Sequence, residues 1–144
     1  MSEEALVSDK PHVTWDRDAK GALSGVRVLD LSRFIAGPLC AQNLGDLGAD
    51  VIKVEGLTGE DARANSPAVN GKALYTMLYN RNKRAITVNA RSTEGRALLR
   101  KLAEWADVII ENFRPGPLDK MGLDEATLRE INPSVIVMSI SGYG

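Results

Sequence analysis

Apolar residues occur in short runs between amphipathic segments from about Gly25 to the end of the chain. Val108, Ile109 and Ile110 follow one another directly, a pattern typical of a strand covered on both faces of a parallel sheet. Comparable short runs predict four further strands, at 26–31, 50–54, 85–88 and 135–139. The chain is therefore expected to build a sheet.

Helices are predicted between these strands, at about 37–48, 75–79, 92–105 and 124–132. Pro38 suits the first turn of a helix, where its missing N–H costs nothing, and Ser92 is a favourable N-cap. Strands that alternate with helices indicate an α/β fold. We therefore expect a Rossmann-like open sheet, mainly parallel, with helices on both faces.

The pattern divides the chain into a leader and one domain. Residues 1–22 are polar and aperiodic and predict a leader that lies on the surface. Residues 23–144 have the size of a single domain. Within it, residues 55–71 are rich in Gly, Asn, Asp, Ser and Pro, so we expect a long surface loop there. Because no crossover helix follows the last predicted strand, the domain is expected to be truncated.

Composition limits the classes of function. Hydrophobic residues make up 44% of the chain and charged residues 26%, and the formal net charge is -1. These values are ordinary for a globular protein and give no reason to expect nucleic-acid binding. No apolar run has the length of a membrane span, and no signal-peptide pattern precedes the domain. We therefore expect a cytoplasmic protein without a membrane partner.

The cysteine and histidine content argues against a metal site. Cys40 is the only cysteine and His12 the only histidine, so no metal centre built on these residue types is predicted. Cys40 lies in the first predicted helix with Leu44 and Leu47 at helical spacing. That setting favours a buried thiol over a nucleophile.

The carboxyl ends of parallel strands meet at one edge of a sheet, where ligands of open α/β folds bind. The residues expected at that edge are Ser32 to Ile35, Glu55 and Gly56, Asn89 to Arg91, Glu111 to Arg114, and Ser139 to Tyr143. They combine apolar side chains, an aromatic ring, amides and fixed cations, which suits a large anionic ligand with a heterocycle, such as an adenine nucleotide. However, neither a glycine-rich dinucleotide fingerprint nor a P-loop is present.

Five motifs in order make the interpretation more specific. They are Gly25 to Ser32 with Ala36-Gly37-Pro38, Leu47 to Glu55, Asn80 to Arg84, Ala106 to Gly116, and Asn132-Pro133 through Ser139 to Gly144. Together these motifs resemble the N-terminal part of the family III CoA-transferases, the superfamily of formyl-CoA and carnitine CoA-transferases. The resemblance covers about residues 25–144.

The resemblance implies that residues 23–144 are the N-terminal part of a CoA-binding, Rossmann-like large domain from an interlocked homodimer. In that family an aspartate carboxylate attacks an acyl-CoA thioester, and a mixed anhydride and then an aspartyl-CoA thioester follow. CoA finally passes to a carboxylic acid acceptor. Family members place the aspartate beyond the segment that matches Ser141 to Gly144, so no catalytic residue is expected here and the chain is expected to be inactive alone.

Matching positions also imply a set of residues that bind the cofactor. They are Phe34 and Ile35 after the first strand, Val88, Asn89, Ala90 and Arg91 at the adenine end, Asn112, Phe113 and Arg114 in the turn after the strand at 107–111, and Lys120 at a phosphate. Two positions depart from the family. Gly56 stands where some members have a cationic side chain, and Arg91 replaces a common lysine.

Other interpretations of the same residues stay open. An acyl-CoA racemase of the same superfamily would exchange an α-proton instead of forming an anhydride, and a non-catalytic nucleotide-binding or dimerisation module is a third possibility. Asn112 could cap its turn, and Phe113 could be a core ring. The cations at 81–84 could form a solvated turn. Asp30 and Glu55 are expected to be structural, not an acid/base pair.

Overall fold

The computed structural model describes residues 20–65 and 67–143. Nearly all of the leader predicted at 1–22 lies outside these ranges. The strands are β1 (Arg27–Asp30), β2 (Asp50–Glu55), β3 (Ala68–Val69), β4 (Lys72–Ala73), β5 (Lys83–Thr87), β6 (Val108–Glu111) and β7 (Ile136–Ser139). The α-helices are α1 (Ala36–Asp46), α2 (Leu74–Tyr79), α3 (Thr93–Trp105), α4 (Pro117–Lys120) and α5 (Glu125–Ile131). A short 3-10 helix covers Asp61–Ala64.

Five strands form one parallel sheet in the order β5-β2-β1-β6-β7. The chain adds strands on one side of β1 and then crosses to the other side, so β1 and β6 are neighbours at the point where the strand order reverses. Such a point opens a crevice at the carboxyl ends of the strands. The predicted Rossmann-like open α/β fold is confirmed.

Alternating side chains of the central strands separate two apolar layers. Leu29 and Ile109 belong to a core cluster that includes Leu99 of α3. Val28 belongs to a second cluster, which includes Ala41 of α1. Side chains of a strand point alternately to the two faces of its sheet. Helices therefore cover both faces, as the sequence predicted, and the residues from Val28 to Asp30 and from Ile109 to Glu111 are buried.

Two of the helices begin at the caps that the sequence predicted. Ser92 Oγ accepts a hydrogen bond from the Gly95 N–H at 3.0 Å, and Asp124 Oδ1 accepts one from the Thr127 N–H, also at 3.0 Å. Each bond satisfies an N–H group that has no partner within its helix. The Thr127 bonds also lower the pKa of Asp124. Ser92 therefore fixes the start of α3, directly after the segment 88–91.

Three local predictions were wrong. The segment 55–71 is not a structureless loop, since it contains the 3-10 helix and the first strand of a hairpin, β3–β4. Asn70 and Gly71 turn that hairpin with φ of 51° and 73°, so an Asn-Gly turn signal was present in the sequence. The turn after β6 contains α4, and β5 begins at Lys83 instead of Ala85. No local pattern marks Lys83 as a strand residue, because its buried partner Asp30 is distant in sequence.

Candidate functional site

Two adjoining cavities lie at the carboxyl ends of β1, β2 and β5. The inner pocket has a volume of about 70 Å³, and Leu31, Val54, Leu99 and Phe113 supply much of its apolar lining. The outer groove has a volume of about 670 Å³. The cavities share five lining residues, Arg33, Gly56, Val88, Ala90 and Met121. Together they form a cleft in the place where an open α/β sheet binds ligands.

The outer groove is rich in positive charge. Its lining includes Arg33, Arg91, Arg96 and Lys120 and no aspartate or glutamate. Within the described ranges, no carboxylate lies within 4.0 Å of the charged nitrogens of Arg91, Arg96 or Lys120. Arg96 instead donates a hydrogen bond to the backbone carbonyl of Arg91 at 3.2 Å. Cations without protein counter-charges beside an apolar surface suit an anionic ligand.

The turn between β1 and α1, residues 31–35, forms one side of the cleft. Asn112 Oδ1 accepts a hydrogen bond from the Arg33 N–H, and Asn112 Nδ2 donates one to the Arg33 carbonyl, both at 2.8 Å. The Phe34 N–H donates to Glu60 Oε1 at 2.7 Å. Phe34 has a φ of 62°, which a bulky residue rarely adopts. The surrounding side chains therefore hold this turn in an unusual conformation.

A cluster of buried charges supports the same turn from below. Lys53 lies 3.3 Å from Glu60 and 3.8 Å from Asp30, and Lys83 lies 2.8 Å from Asp30. The Lys53 ammonium group also donates to the carbonyl of Ser32. Two cations and two anions cancel, so the cluster holds no net charge that a ligand would have to neutralise. Burial lowers the pKa of Lys83, and the Asp30 carboxylate opposes that effect.

A second ion pair anchors the loop that follows β2. Glu55 accepts hydrogen bonds from the Arg63 guanidinium and, at 3.1 Å, from the Glu60 N–H. The Arg63 hydrogen bond outweighs burial and lowers the pKa of Glu55. Glu55 is therefore a charged anchor for the loop. Asp30 and Glu55 both have structural partners, in agreement with the structural role expected for them.

The structure brings only part of the predicted set together. Five of the ten residues line the outer groove: Val88, Asn89, Ala90, Arg91 and Lys120. Phe113 lines the inner pocket, where it is both a packing and a cavity residue. Phe34, Ile35, Asn112 and Arg114 line neither cavity. Phe34 and Ile35 are about half exposed at the end of the turn.

Sequence reasoning missed two cations of the groove. Arg33 is among the residues expected at the strand edge but not among those expected to bind the cofactor, and Arg96 is in neither set. The Arg33 guanidinium lies 5.5 Å from the centre of the Phe113 ring and 3.5 Å from Asp61. Arg96 could have been found from its position in the first turn of α3, shortly after Arg91 and near the same strand end.

The cations at 81–84 do not belong to the groove. Arg81 pairs with Asp46 and Arg84 with Asp50, whereas Lys83 is buried beside Asp30. The structure thus divides this run into two surface ion pairs and one internal charge. Surface pairs of this kind contribute little to stability.

Two absences characterise residues 20–65 and 67–143. No helix there is long and apolar enough to cross a membrane. No three of the His, Cys, Asp and Glu side chains in those ranges are placed to hold a metal ion together.

The sheet order and the cleft define an α/β domain of the Rossmann-like class with a cationic cleft at the carboxyl edge. The profile of the family described as CoA-transferase family III matches residues 23–144. The chain therefore belongs to that family.

Named relatives support this assignment. The chain is 46% identical over 131 residues to the succinyl-CoA:glutarate CoA-transferase of Mus musculus, covering 90% of this chain and 30% of the relative. It is 46% identical over 125 residues to the formyl-CoA:oxalate CoA-transferase of Afipia carboxidovorans, covering 85% and 30%. Our chain thus spans about 30% of the length of these curated relatives.

A solved structure agrees with the computed fold. A crystal structure of a CaiB/BaiF family protein from Brucella suis is 49% identical and superposes with a TM-score of 0.82. The match covers 88% of this chain and 35% of the other.

Proposed function

We propose that residues 23–144 form the N-terminal, CoA-binding part of an enzyme that moves CoA from an acyl-CoA to a carboxylic acid. The observation that carries the proposal is the outer groove, where three cations that pair with no described carboxylate, Arg91, Arg96 and Lys120, lie beside an apolar surface at the carboxyl edge of the sheet. Family membership supports CoA thioesters as the substrate class.

The groove offers separate regions for the parts of CoA. Positive charges suited to binding phosphate groups are carried by Arg91, Arg96 and Lys120. Val88 and Ala90 supply apolar contact area for the adenine ring. Gly56 leaves open space where a side chain would stand, since nothing lies within 4 Å of a Cβ atom built there.

The described carboxylates at this edge favour a holding role over a reacting one. Asp30, Glu55 and Glu60 all accept hydrogen bonds from cations or backbone N–H groups. A carboxylate so engaged is a poor nucleophile toward a thioester, because attack would remove its stabilising partners. We therefore propose that the 144-residue chain binds CoA but does not transfer it.

In this proposal the domain contributes to the reaction by positioning the CoA moiety. Fixing the CoA moiety at the sheet edge would convert a bimolecular encounter of the thioester with its nucleophile into a reaction between oriented groups. The interlocked homodimer stays a prediction from the resemblance, and the cytoplasmic location stays a prediction from the sequence pattern. Cofactor contacts by Phe34, Ile35 and Arg114 also stay predictions from the resemblance.

The proposal is tested by titrating CoA into the chain and measuring heat. A variant with both Arg91→Ala and Lys120→Ala is expected to bind at least tenfold more weakly, because two charge-assisted contacts are lost. Lys101→Ala is the matched control, since Lys101 is an exposed cation of α3 that lines neither cavity.

Four outcomes would contradict parts of the proposal. If the wild-type chain binds no CoA, the groove is not its CoA site. The same conclusion follows if the Lys101→Ala control loses as much CoA affinity as the double variant. Equal affinity for CoA and ADP would favour a general nucleotide-binding module. CoA transfer catalysed by the chain alone would overturn the proposed holding role.

A further inference from the structure

We propose that Arg33 contacts an anionic group of the ligand and that Asn112 is a positioning residue which holds Arg33 at the cleft. The inference rests on the proposed function. It also replaces the expectation that Asn112 itself contacts the cofactor.

The first argument is the way Asn112 extends the sheet. The backbone ladder between β1 and β6 continues as far as the bond from the Leu31 N–H to the Ile110 carbonyl, at 2.9 Å. Two residues beyond each of these, the side-chain amide of Asn112 bonds to both the N–H and the carbonyl of Arg33. A carboxamide carries the same donor and acceptor as a peptide group. Asn112 therefore adds one more pair of hydrogen bonds between the two chain segments, beyond the point where β1 and β6 end.

The second argument is the orientation of the Asn112 amide. Oδ1 accepts from Arg33 and Nδ2 donates to Arg33, and the Asn112 side chain lines neither cavity. Each atom keeps one further bonding capacity, a second lone pair on Oδ1 and a second N–H on Nδ2. Because the amide faces the Arg33 backbone and not a cavity, the geometry favours a role through Arg33 over a direct ligand contact.

The third argument is the position of the Arg33 side chain. Arg33 lines both the inner pocket and the outer groove, and its guanidinium lies over the Phe113 ring at 5.5 Å. The only carboxylate paired with it among the described residues is Asp61, at 3.5 Å and with 61% of its side chain exposed. Such a pair is weak in water, so an anionic ligand can replace it.

The turn is also fixed from its other end. Glu60 accepts from the Phe34 N–H, and Lys53 donates to the Ser32 carbonyl. Arg33 therefore lies between two anchored neighbours while Asn112 holds its own backbone. This arrangement accounts for the positive φ of Phe34, which an unsupported turn would relax.

Amide hydrogen exchange tests the positioning step without any ligand. In the wild-type chain, the Arg33 N–H is expected to exchange slowly for an exposed turn because Asn112 accepts its hydrogen. Asn112→Ala is expected to speed that exchange about tenfold or more while the β1 amides stay protected. Glu104→Ala, on the exposed face of α3, is the control and should leave Arg33 unchanged. Unchanged exchange in Asn112→Ala would overturn the proposal.

A double-mutant cycle on CoA affinity then separates positioning from contact. Asn112→Ala and Arg33→Ala are each expected to weaken binding about tenfold, whereas the double variant should be weaker than Arg33→Ala by less than about twofold. If the fold losses of CoA affinity in the two single variants multiply in the double variant, Asn112 acts independently of Arg33. That result would overturn the proposal. If wild-type chain binds no CoA, the proposed function fails, and the exchange measurement still decides whether Asn112 holds Arg33.

Discussion

The ammonium group of Lys83 lies 2.8 Å from a carboxylate oxygen of Asp30, and no more than 1% of either side chain is exposed. Lys83 also donates to the carbonyl of Pro38, in the first turn of α1. The pair therefore joins the edge strand β5 to β1 and α1 beneath the cleft. Buried charges are costly unless they are paired, so the integrity of this pair controls the stability of the sheet edge.

Removing one charge of this pair should destabilise the fold strongly. Asp30→Asn leaves Lys53 and Lys83 with one carboxylate fewer in a buried site, and we expect a loss of about 3 kcal/mol or more in the free energy of unfolding. Urea denaturation measures the change. Asp50→Asn is the control, because the Asp50 pair with Arg84 is exposed and should contribute less than about 1 kcal/mol. Similar losses in both variants would contradict the assigned role of burial.

The Glu55–Arg63 pair predicts loss of stability in acid. Glu55 has its pKa below the ordinary value of 4.5 in the folded chain. As the pH falls below 4.5, the unfolded chain binds a proton at Glu55 before the folded chain does, so folding loses stability until the lower folded pKa is passed. Above 4.5 the contribution is fully present.

Replacing the cation should remove part of this pH dependence. We expect the difference in unfolding free energy between about pH 7 and about pH 3.5 to be smaller in Arg63→Met than in the wild type, by less than about 2 kcal/mol because Arg63 is half exposed. Arg100→Met on the solvated face of α3 serves as control. An undiminished pH dependence in Arg63→Met would show that Arg63 does not set the pKa of Glu55.

Gly95 is the position where a single methyl group should disturb the groove. A Cβ atom there would lie 1.9 Å from the Asn89 carbonyl oxygen, which is backbone and cannot turn aside. Alanine normally stabilises a helix relative to glycine by up to about 1 kcal/mol. At Gly95 we expect alanine to lower the free energy of unfolding instead. We also expect weaker CoA binding, because the displaced segment at Asn89 lines the groove.

Gly56 provides the comparison for that substitution. A Cβ atom at Gly56 meets nothing within 4 Å, so Gly56→Ala should change the free energy of unfolding by no more than about 1 kcal/mol. Thermal unfolding of the two variants checks this contrast. A stabilising effect of Gly95→Ala would mean that the close approach of α3 to Asn89 is absent in solution.

The core and the order of the main elements could be predicted from the sequence because their signals are local. Val108 to Ile110 indicate a buried strand by themselves, and Ser92 and Asp124 carry their own capping chemistry. The site was less predictable. Asp30 meets Lys83 and Lys53 only after the sheet forms, and no local pattern shows that a lysine between Asn82 and Arg84 is buried.

The residues predicted to bind the ligand could likewise be placed only in part from local sequence patterns. The strand-end rule placed Asn89 to Arg91 at the edge of the sheet where the structure has its cleft, because the rule depends on strand direction alone. It could not show that Asn112 turns its amide toward Arg33, which depends on the spacing of β1 and β6. Nor could it show that Arg96 lines the groove, since an arginine in an amphipathic helix is normally solvated.

Cys40 should react slowly in the folded chain. Burial, and to a smaller extent the charge of Asp30, raises the pKa of its thiol. The thiolate is the reactive form, so less of it is present at a given pH than in the unfolded chain. Labelling by a disulfide reagent near pH 7.5 is expected to be about tenfold slower in buffer than in urea. Equal rates would show an exposed, unperturbed thiol.

The central claim is that CoA binds in the outer groove, and a map of amide resonances in an isotope-labelled chain tests it most directly. On addition of CoA, the account predicts that the amide signals of 56–58, 88–91 and Arg96 shift, and that those of the β3–β4 hairpin do not. Shifts confined to other surfaces, or no shift at saturating CoA, would contradict it.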